Sequence, residues 1–174
     1  GGARLDAYVG QHVAFGGLAE DPLWLSWGGS ASAAADLDRH RVLGLTAEAH
    51  FVSPFDDDEV PFAELVDVGG AGPLSGFRPG RIRGRSAAAL TLFYQYPIWV
   101  FLDARLFVAT GNAFGEHLEG FEPELLRLSF GLSLQPRLPG GLPFDIQVAF
   151  GTETFDRGAD ITSVRFVIGN WNRL

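Results

Sequence analysis

From Pro123 to Gln135 the chain alternates. Glu124, Leu126, Leu128, Phe130, Leu132 and Leu134 fall on one side; Leu125, Arg127, Ser129, Gly131, Ser133 and Gln135 fall on the other. A side-chain period of two places these sets on opposite faces of a strand. One face is bulky and apolar, the other small or polar. The same pattern predicts strands over residues 3–15, 23–35, 41–53, 86–96, 98–110, 123–135 and 144–153, with a last strand after residue 160. Each has roughly the ten-residue length with which a tilted strand crosses a bilayer. The second is the most diluted by Ala and Gly, and an Ala-rich helix from Ala31 to Arg39 is its alternative.

The connections differ in kind. Leu37–His40, Pro97 and Pro136–Pro143 are short turns, whereas residues 54–85 and 112–122 are longer loops. The 54–85 stretch is too long for an idle connection and reads as a functional loop. Short turns at one end and long loops at the other is the outer-membrane arrangement, with both termini at the periplasmic end. The predicted fold is therefore all-β: an antiparallel transmembrane β-barrel of about eight strands in a single domain spanning residues 1–174. The soluble alternative is a lipocalin-like barrel with the apolar face inward. Five or six bulky residues on nearly every strand would crowd such an interior, while a Gly/Ser/Thr face suits it.

Composition sharpens this reading. Mean hydropathy is +0.12, yet no unbroken apolar run reaches the length of a transmembrane helix. All 13 basic residues are Arg, so the polar faces lack the Lys that commonly covers a soluble sheet. The net charge of −8 leaves no basic stripe for phosphates and argues against nucleic-acid binding. Without Cys there is neither a disulfide nor a thiolate metal site. Neither Met nor a leader precedes Gly1, so the expectation is a mature or excised segment with more chain N-terminal to it.

The run Val60-Pro61-Phe62-Ala63-Glu64-Leu65, then Gly69-Gly70, then Pro73-Leu74-Ser75-Gly76-Phe77-Arg78-Pro79-Gly80-Arg81-Ile82-Arg83-Gly84-Arg85-Ser86 resembles the inward-folded loop of the BamA/TamA bacterial surface-antigen barrels. Phe93-Tyr94-Gln95-Tyr96-Pro97-Ile98, Leu106-Phe107-Val108-Ala109-Thr110-Gly111 and Leu126–Leu132 resemble the strands that follow it. The likeness covers residues 41–174 and lies in order and spacing more than in any single motif. It implies a loop tucked into a barrel lumen through Gly69, Gly70, Leu74, Gly76, Phe77, Arg78, Arg81, Arg83 and Gly84. It also implies a barrel of about sixteen strands, of which these are the last eight. Phe166 and Trp171 would serve as the C-terminal strand signal, although Asn172-Arg173-Leu174 follow. The implied role is insertion or translocation of proteins at the outer membrane, by offering unpaired strand edges to an incoming strand. The implied partners are outer-membrane lipid, unfolded client proteins and periplasmic assembly components.

The departures matter. The family's loop Arg, which pairs with a carboxylate on the barrel wall, is Ser75 here. The wall Asp aligns with Ala109 and a strand Glu with Phe93. Joint loss is coherent, since a lone buried charge is costly, but it leaves the means of holding the loop open. Arg78, Arg81, Arg83 and Arg85 could meet Asp103, Asp145, Glu153 or Glu48, or could lie solvated on a surface loop.

The remaining polar positions suggest a lumenal network of Glu48, Asp103, Arg105, Arg127, Asp145, Glu153 and Arg165, with Asp103 and Arg105 on one face. His12 and His50 read as lumenal packing. Tyr94, Tyr96, Trp27 and Trp171 read as interface aromatics. Asp56-Asp57-Asp58-Glu59 could ligate a divalent cation, but a solvated loop tip explains it more simply. The four His lack metal-ligand spacing. No nucleophile elbow or phosphate loop occurs. Ser75, Ser86, His50 and Glu48 have no spacing that demands a hydrolase. The expectation is a non-enzyme without cofactor or metal. A small structural or pore barrel, and an outer-membrane lipid-modifying enzyme, are the alternatives. The sequence leaves open whether the strands close alone, pair with a second copy or form half of a larger barrel.

Overall fold

The computed structural model describes residues 1–13, 23–37, 40–55, 60–136 and 145–169. Eight long strands are present: β1 (Gly2–Val13), β2 (Leu23–Leu37), β3 (Arg41–Pro54), β6 (Ser86–Trp99), β7 (Leu102–Phe114), β8 (Arg127–Pro136), β9 (Asp145–Thr154) and β10 (Ile161–Gly169). Two two-residue strands, β4 (Val66–Asp67) and β5 (Arg83–Gly84), pair with each other inside the long loop. The long strands form one antiparallel sheet in the order β1-β2-β3-β6-β7-β8-β9-β10. Among the described residues β1 and β10 do not pair, so the sheet has two edges.

The alternation decides the faces. Leu5, Leu43, Leu45, Leu90, Leu92, Leu106, Val108, Leu132, Val164, Phe166 and Ile168 all stand substantially exposed on one face. Ala87, Ala89, Ala109, Ser129, Ser133, Ala149 and Gln147 are buried on the other. That is the inverse of a soluble barrel, whose bulky residues go inside. It is the arrangement a lipid-facing wall requires.

Several boundaries differ from expectation, each for a local reason. The Ala31–Arg39 region is strand through Leu37, because β2 carries a ladder on both sides, to β1 and to β3. Neighbour pairing overrides Ala's helix preference. Pro97 does not make the turn. It stays in β6 opposite Asp103, at a register irregularity between Pro97 and Trp99, and the turn falls at residues 100–101. A bulge tolerates a residue with no N–H to donate. Ile98 therefore belongs to β6, and β7 starts at Leu102 and runs on to Phe114. Pro123–Leu125 forms a 3-10 turn, so the alternation that looked continuous from Glu124 becomes strand at Arg127. The 136–143 turn beyond Pro136, the 56–59 acidic run, the His12 side chain and Trp171 lie outside the described residues or side chains.

The connections from β2 to β3, whose residues 38–39 lie outside the described residues, and from β6 to β7 at 100–101 join the strands at one end of the sheet, and the longer ones from β3 to β6 and from β7 to β8 at the other. The first of these longer connections returns over the inner face and supplies the main core. Val68, Leu74, Phe77 and Ile82 of the loop pack with Ala87 and Ala109 of the wall.

Candidate functional site: the loop seat on the inner face

The loop is a folded unit. Asp67 accepts the amide N–H groups of Gly69 (2.9 Å) and Gly80, and its carboxylate lies 3.7 Å from Arg83 Nε. Arg83 also donates to the Phe62 carbonyl (2.9 Å) and stacks over the Phe62 ring. The Gly70 amide donates to the Phe77 carbonyl (2.9 Å), and the Leu74 amide to the Val68 carbonyl (2.9 Å). Gly70 and Gly80 take φ of 64° and 80°, the left-handed region that Gly enters without a Cβ penalty. The carbonyls of Gly70, Ser75, Gly76 and Phe77 accept from the wall, whereas that of Leu74 accepts the Phe77 amide within the loop.

The wall matches this unit with a row of small residues. In register, Ala109 lies beside Ser129, Ser129 beside Gly151, and Gly151 beside Ser163. Phe77, fully buried, sits on Gly151; a Cβ there would come within 2.7 Å of the ring. The Gly76 backbone lies against the Phe150 carbonyl too closely for any side chain. Its N–H donates to Ser129 Oγ (2.8 Å), and its carbonyl accepts from Ser163 Oγ (2.7 Å). Gln147 Nε2 donates to Ser75 Oγ (3.1 Å). Arg165 Nη1 lies within reach of three loop carbonyls, Gly70 (2.7 Å), Ser75 (2.6 Å) and Phe77 (3.1 Å).

Beside the seat is a cavity of about 120 Å³, lined by Ser75 and Gly72 of the loop and by Glu48, Arg105, Asp145 and Gln147 of the wall. Arg105 lies flat on Phe93 at 4.0 Å and faces Asp145, which takes a hydrogen bond from Gln135. Among the described residues Asp145 Oδ1 and Gln147 Oε1 are buried without a protein partner. A polar space of this size suits water.

The Omp85 superfamily domain matches residues 5–171 of the chain. The chain belongs to the Omp85 superfamily. No curated protein is similar enough to the chain to be matched.

Within this Omp85 domain Gly69, Gly70, Leu74, Gly76, Phe77, Arg83 and Gly84 lie at the seat or in the loop's own scaffold, but the arginines do other work. Arg83 pairs with Asp67 and Arg85 with Glu116 (3.4 Å), rather than with Asp103, Asp145, Glu153 or Glu48. Arg78 and Arg81 are exposed, with Arg81 5.8 Å from the Phe77 ring centre. The expected lumenal network divides into separate parts. Arg127 pairs with Glu153 (3.1 Å) and also flanks Phe77. Glu48 lies 3.7 Å from His50, whose Nδ1 bonds the Tyr8 hydroxyl (2.9 Å). Asp103 accepts from Gln95 (2.9 Å). Arg165 binds backbone carbonyls. Phe166, on the opposite face of β10, is 64% exposed and faces outward with Val164 and Ile168.

Among the described residues no cluster of three His, Asp or Glu is arranged to hold a metal. Ser75, Ser86 and His50 have separate partners. Ser86 Oγ donates to the Gly115 carbonyl and accepts from the Leu118 amide, Ser75 bonds Gln147, and His50 bonds Tyr8. The aromatic pairs Tyr94–Tyr96 and Trp27–Phe51 are stacked. Ser129, Ser163, Gly151 and Gln147 were not singled out by the sequence reading. Their common signal is a small or polar residue at inward positions of three consecutive strands, legible only once the register aligns them.

Proposed function

We propose that this chain is a wall segment of an outer-membrane β-barrel that inserts or translocates other proteins, with the 54–85 loop folded into its lumen. The observation that carries this reading is the loop seat. A superfamily domain spanning nearly the whole chain is combined with a loop locked onto the polar face, while the opposite face presents bulky apolar residues. Outer-membrane proteins of this superfamily work generally in assembly or transport rather than catalysis, which supports the same assignment here. The two sheet edges at β1 and β10 carry unpaired backbone groups. Such edges are costly in lipid unless joined to further strands or used transiently by a client strand. The reading therefore places β1 beside preceding strands of a larger barrel and makes β10 part of the seam that a client engages. Lipid contacts the apolar face, and unfolded clients and periplasmic assembly components are the partners.

The test is reconstitution of the full-length protein in liposomes with an unfolded outer-membrane client. Faster client insertion or transport than in protein-free liposomes is the expected result. Protein that is correctly inserted yet leaves client insertion at the lipid-only rate refutes the reading. Steady single-channel conductance without client activity would instead assign a simple pore.

A further inference from the structure

We propose that Arg165 is the positioning residue that fixes the inward loop, and that it thereby couples the loop's docking to the position of the edge strand β10. The inference rests on the proposed barrel role only for its consequence; the anchor itself stands on geometry. Three carbonyls from different points of the loop, on Gly70, Ser75 and Phe77, converge on one terminal nitrogen of Arg165. That nitrogen has two N–H groups, so three acceptors share two hydrogens. Donors that carry charge make hydrogen bonds stronger than neutral ones. Backbone carbonyls are good acceptors for such a cation because they bring no countercharge that would need desolvating.

The convergence is built by the loop's own fold. The left-handed Gly70 and the Gly70–Phe77 bond turn the carbonyls toward the wall. The loop position from which the resembled family sends out an arginine is Ser75, and here the Ser75 carbonyl receives one instead. The cation here stands on the wall, and its acceptors are main chain.

The location gives the anchor its consequence. β10 pairs only with β9 among the described strands. It contributes both Arg165 and Ser163, the latter donating to the Gly76 carbonyl. Bending β10 away from β9 stretches these bonds together, while the bonds from Ser129 on β8 and Gln147 on β9 stay in place. An undocked loop would conversely deprive β10 of the inner-face bonds through Ser163 and Arg165. Seam movement and loop release are thus linked reciprocally.

Amide hydrogen exchange on the full-length protein in bilayers reads this directly. Arg165→Gln keeps a polar side chain but loses the charge and the fork. It is expected to speed exchange at the Gly70, Leu74, Gly76 and Phe77 amides about tenfold or more, with the β3, β6 and β7 ladders unchanged. Arg165→Lys, which restores a cation with a different donor geometry, should recover part of the protection. Gly70→Ala, which disturbs the acceptors from the loop side, should act like Arg165→Gln, and combining the two should add little. Unchanged loop exchange in Arg165→Gln overturns the proposal. So does faster exchange spread evenly over all strands, which would mark a general structural loss. If Arg165→Gln does not assemble, Arg165→Lys and Gly70→Ala decide by the same measurement: wild-type loop protection in both overturns it. Client insertion is not the readout, so the barrel function can fail while the anchor stands, and the reverse.

Discussion

Replacing Phe77 by Ala should undock the loop without unfolding the sheet. Phe77 is fully buried, and its ring fills the space above Gly151 with Leu74 and Val68 beside it. Truncating a fully buried Phe costs about 3–5 kcal/mol. The flanking guanidinium groups of Arg127 and Arg81, at 6.0 and 5.8 Å, add less than about 1 kcal/mol more. Applied to docking alone, that range lowers the docked-to-free ratio by a factor of roughly 150 to 5,000. The loop carries Arg81, before Ile82, and Arg83, before Gly84, which trypsin can cut once the segment opens far enough to enter the protease. When opening is fast relative to cutting, the rate follows the open population. Cleavage after these residues should therefore rise by at least about a hundredfold in Phe77→Ala, with the eight strands still protected. Gly151→Ala should also promote cleavage, because its methyl would meet the ring at 2.7 Å and overpacking costs about 1–3 kcal/mol. The decisive sample is the double variant. A methyl at residue 151 partly fills the hole left by the ring, so Phe77→Ala with Gly151→Ala should cut more slowly than the sum of the single effects predicts. Non-additivity of this sign is expected only for side chains in contact. Strict additivity, or wild-type cleavage in Phe77→Ala, refutes the seat as the element that holds the loop.

Two other outcomes test the scaffold and the wall. Asp67→Ala removes the acceptor of the Gly69 and Gly80 amides and the partner of Arg83; loosening by about 1–3 kcal/mol is expected, read as loop amide exchange, and no change would place the loop's order elsewhere. Leu92→Arg on the outward face should impede assembly into bilayers by about 2–4 kcal/mol if the residue lies near the midplane. Equal bilayer partitioning of Leu92→Arg and wild type would contradict lipid contact on this face.

The strands were legible because one face of the sheet is bulky and apolar and the other small or polar, which imposes a clean period of two. Boundaries were legible less well, since the same alternation continues through turns. Glu124 and Leu125 extend the pattern of β8 although Pro123 starts a 3-10 turn there, and Pro97 resembles a turn residue although its strand absorbs it at a bulge. The Ala-rich part of β2 was ambiguous because its strand identity comes from pairing with β1 and β3 and not from its own residues. The loop residues were visible through family resemblance, but their partners were not. Ser129, Gly151 and Ser163 become one row only through the register of β8, β9 and β10. Arg165 stood among the polar lumenal residues with the expectation of a carboxylate partner. A search among side chains could not reveal that three main-chain oxygens would receive it.

That last point bears on why Ser75 is tolerable. A loop arginine paired with a wall carboxylate requires two matching side chains, and losing either leaves a partly buried charge uncompensated. An anchor that recognises carbonyls requires only the wall cation and the loop's backbone shape. Residue 75 is then free to be small, and its hydroxyl takes the secondary bond from Gln147. The burden of specificity moves to the residues that shape the backbone: Gly70 in its left-handed turn, Gly76 pressed on the Phe150 carbonyl, and Asp67 holding the Gly69 and Gly80 amides. The consequence separates the two designs experimentally. Introducing Arg at residue 75 should not strengthen docking here. It would bring another guanidinium beside Arg165 and into the cavity where Arg105 already faces Asp145, and would remove the hydroxyl that Gln147 binds. Loop protection in Ser75→Arg should fall. A rise in protection would show that the wall still offers a carboxylate to the loop, and would return the anchor to side-chain pairing.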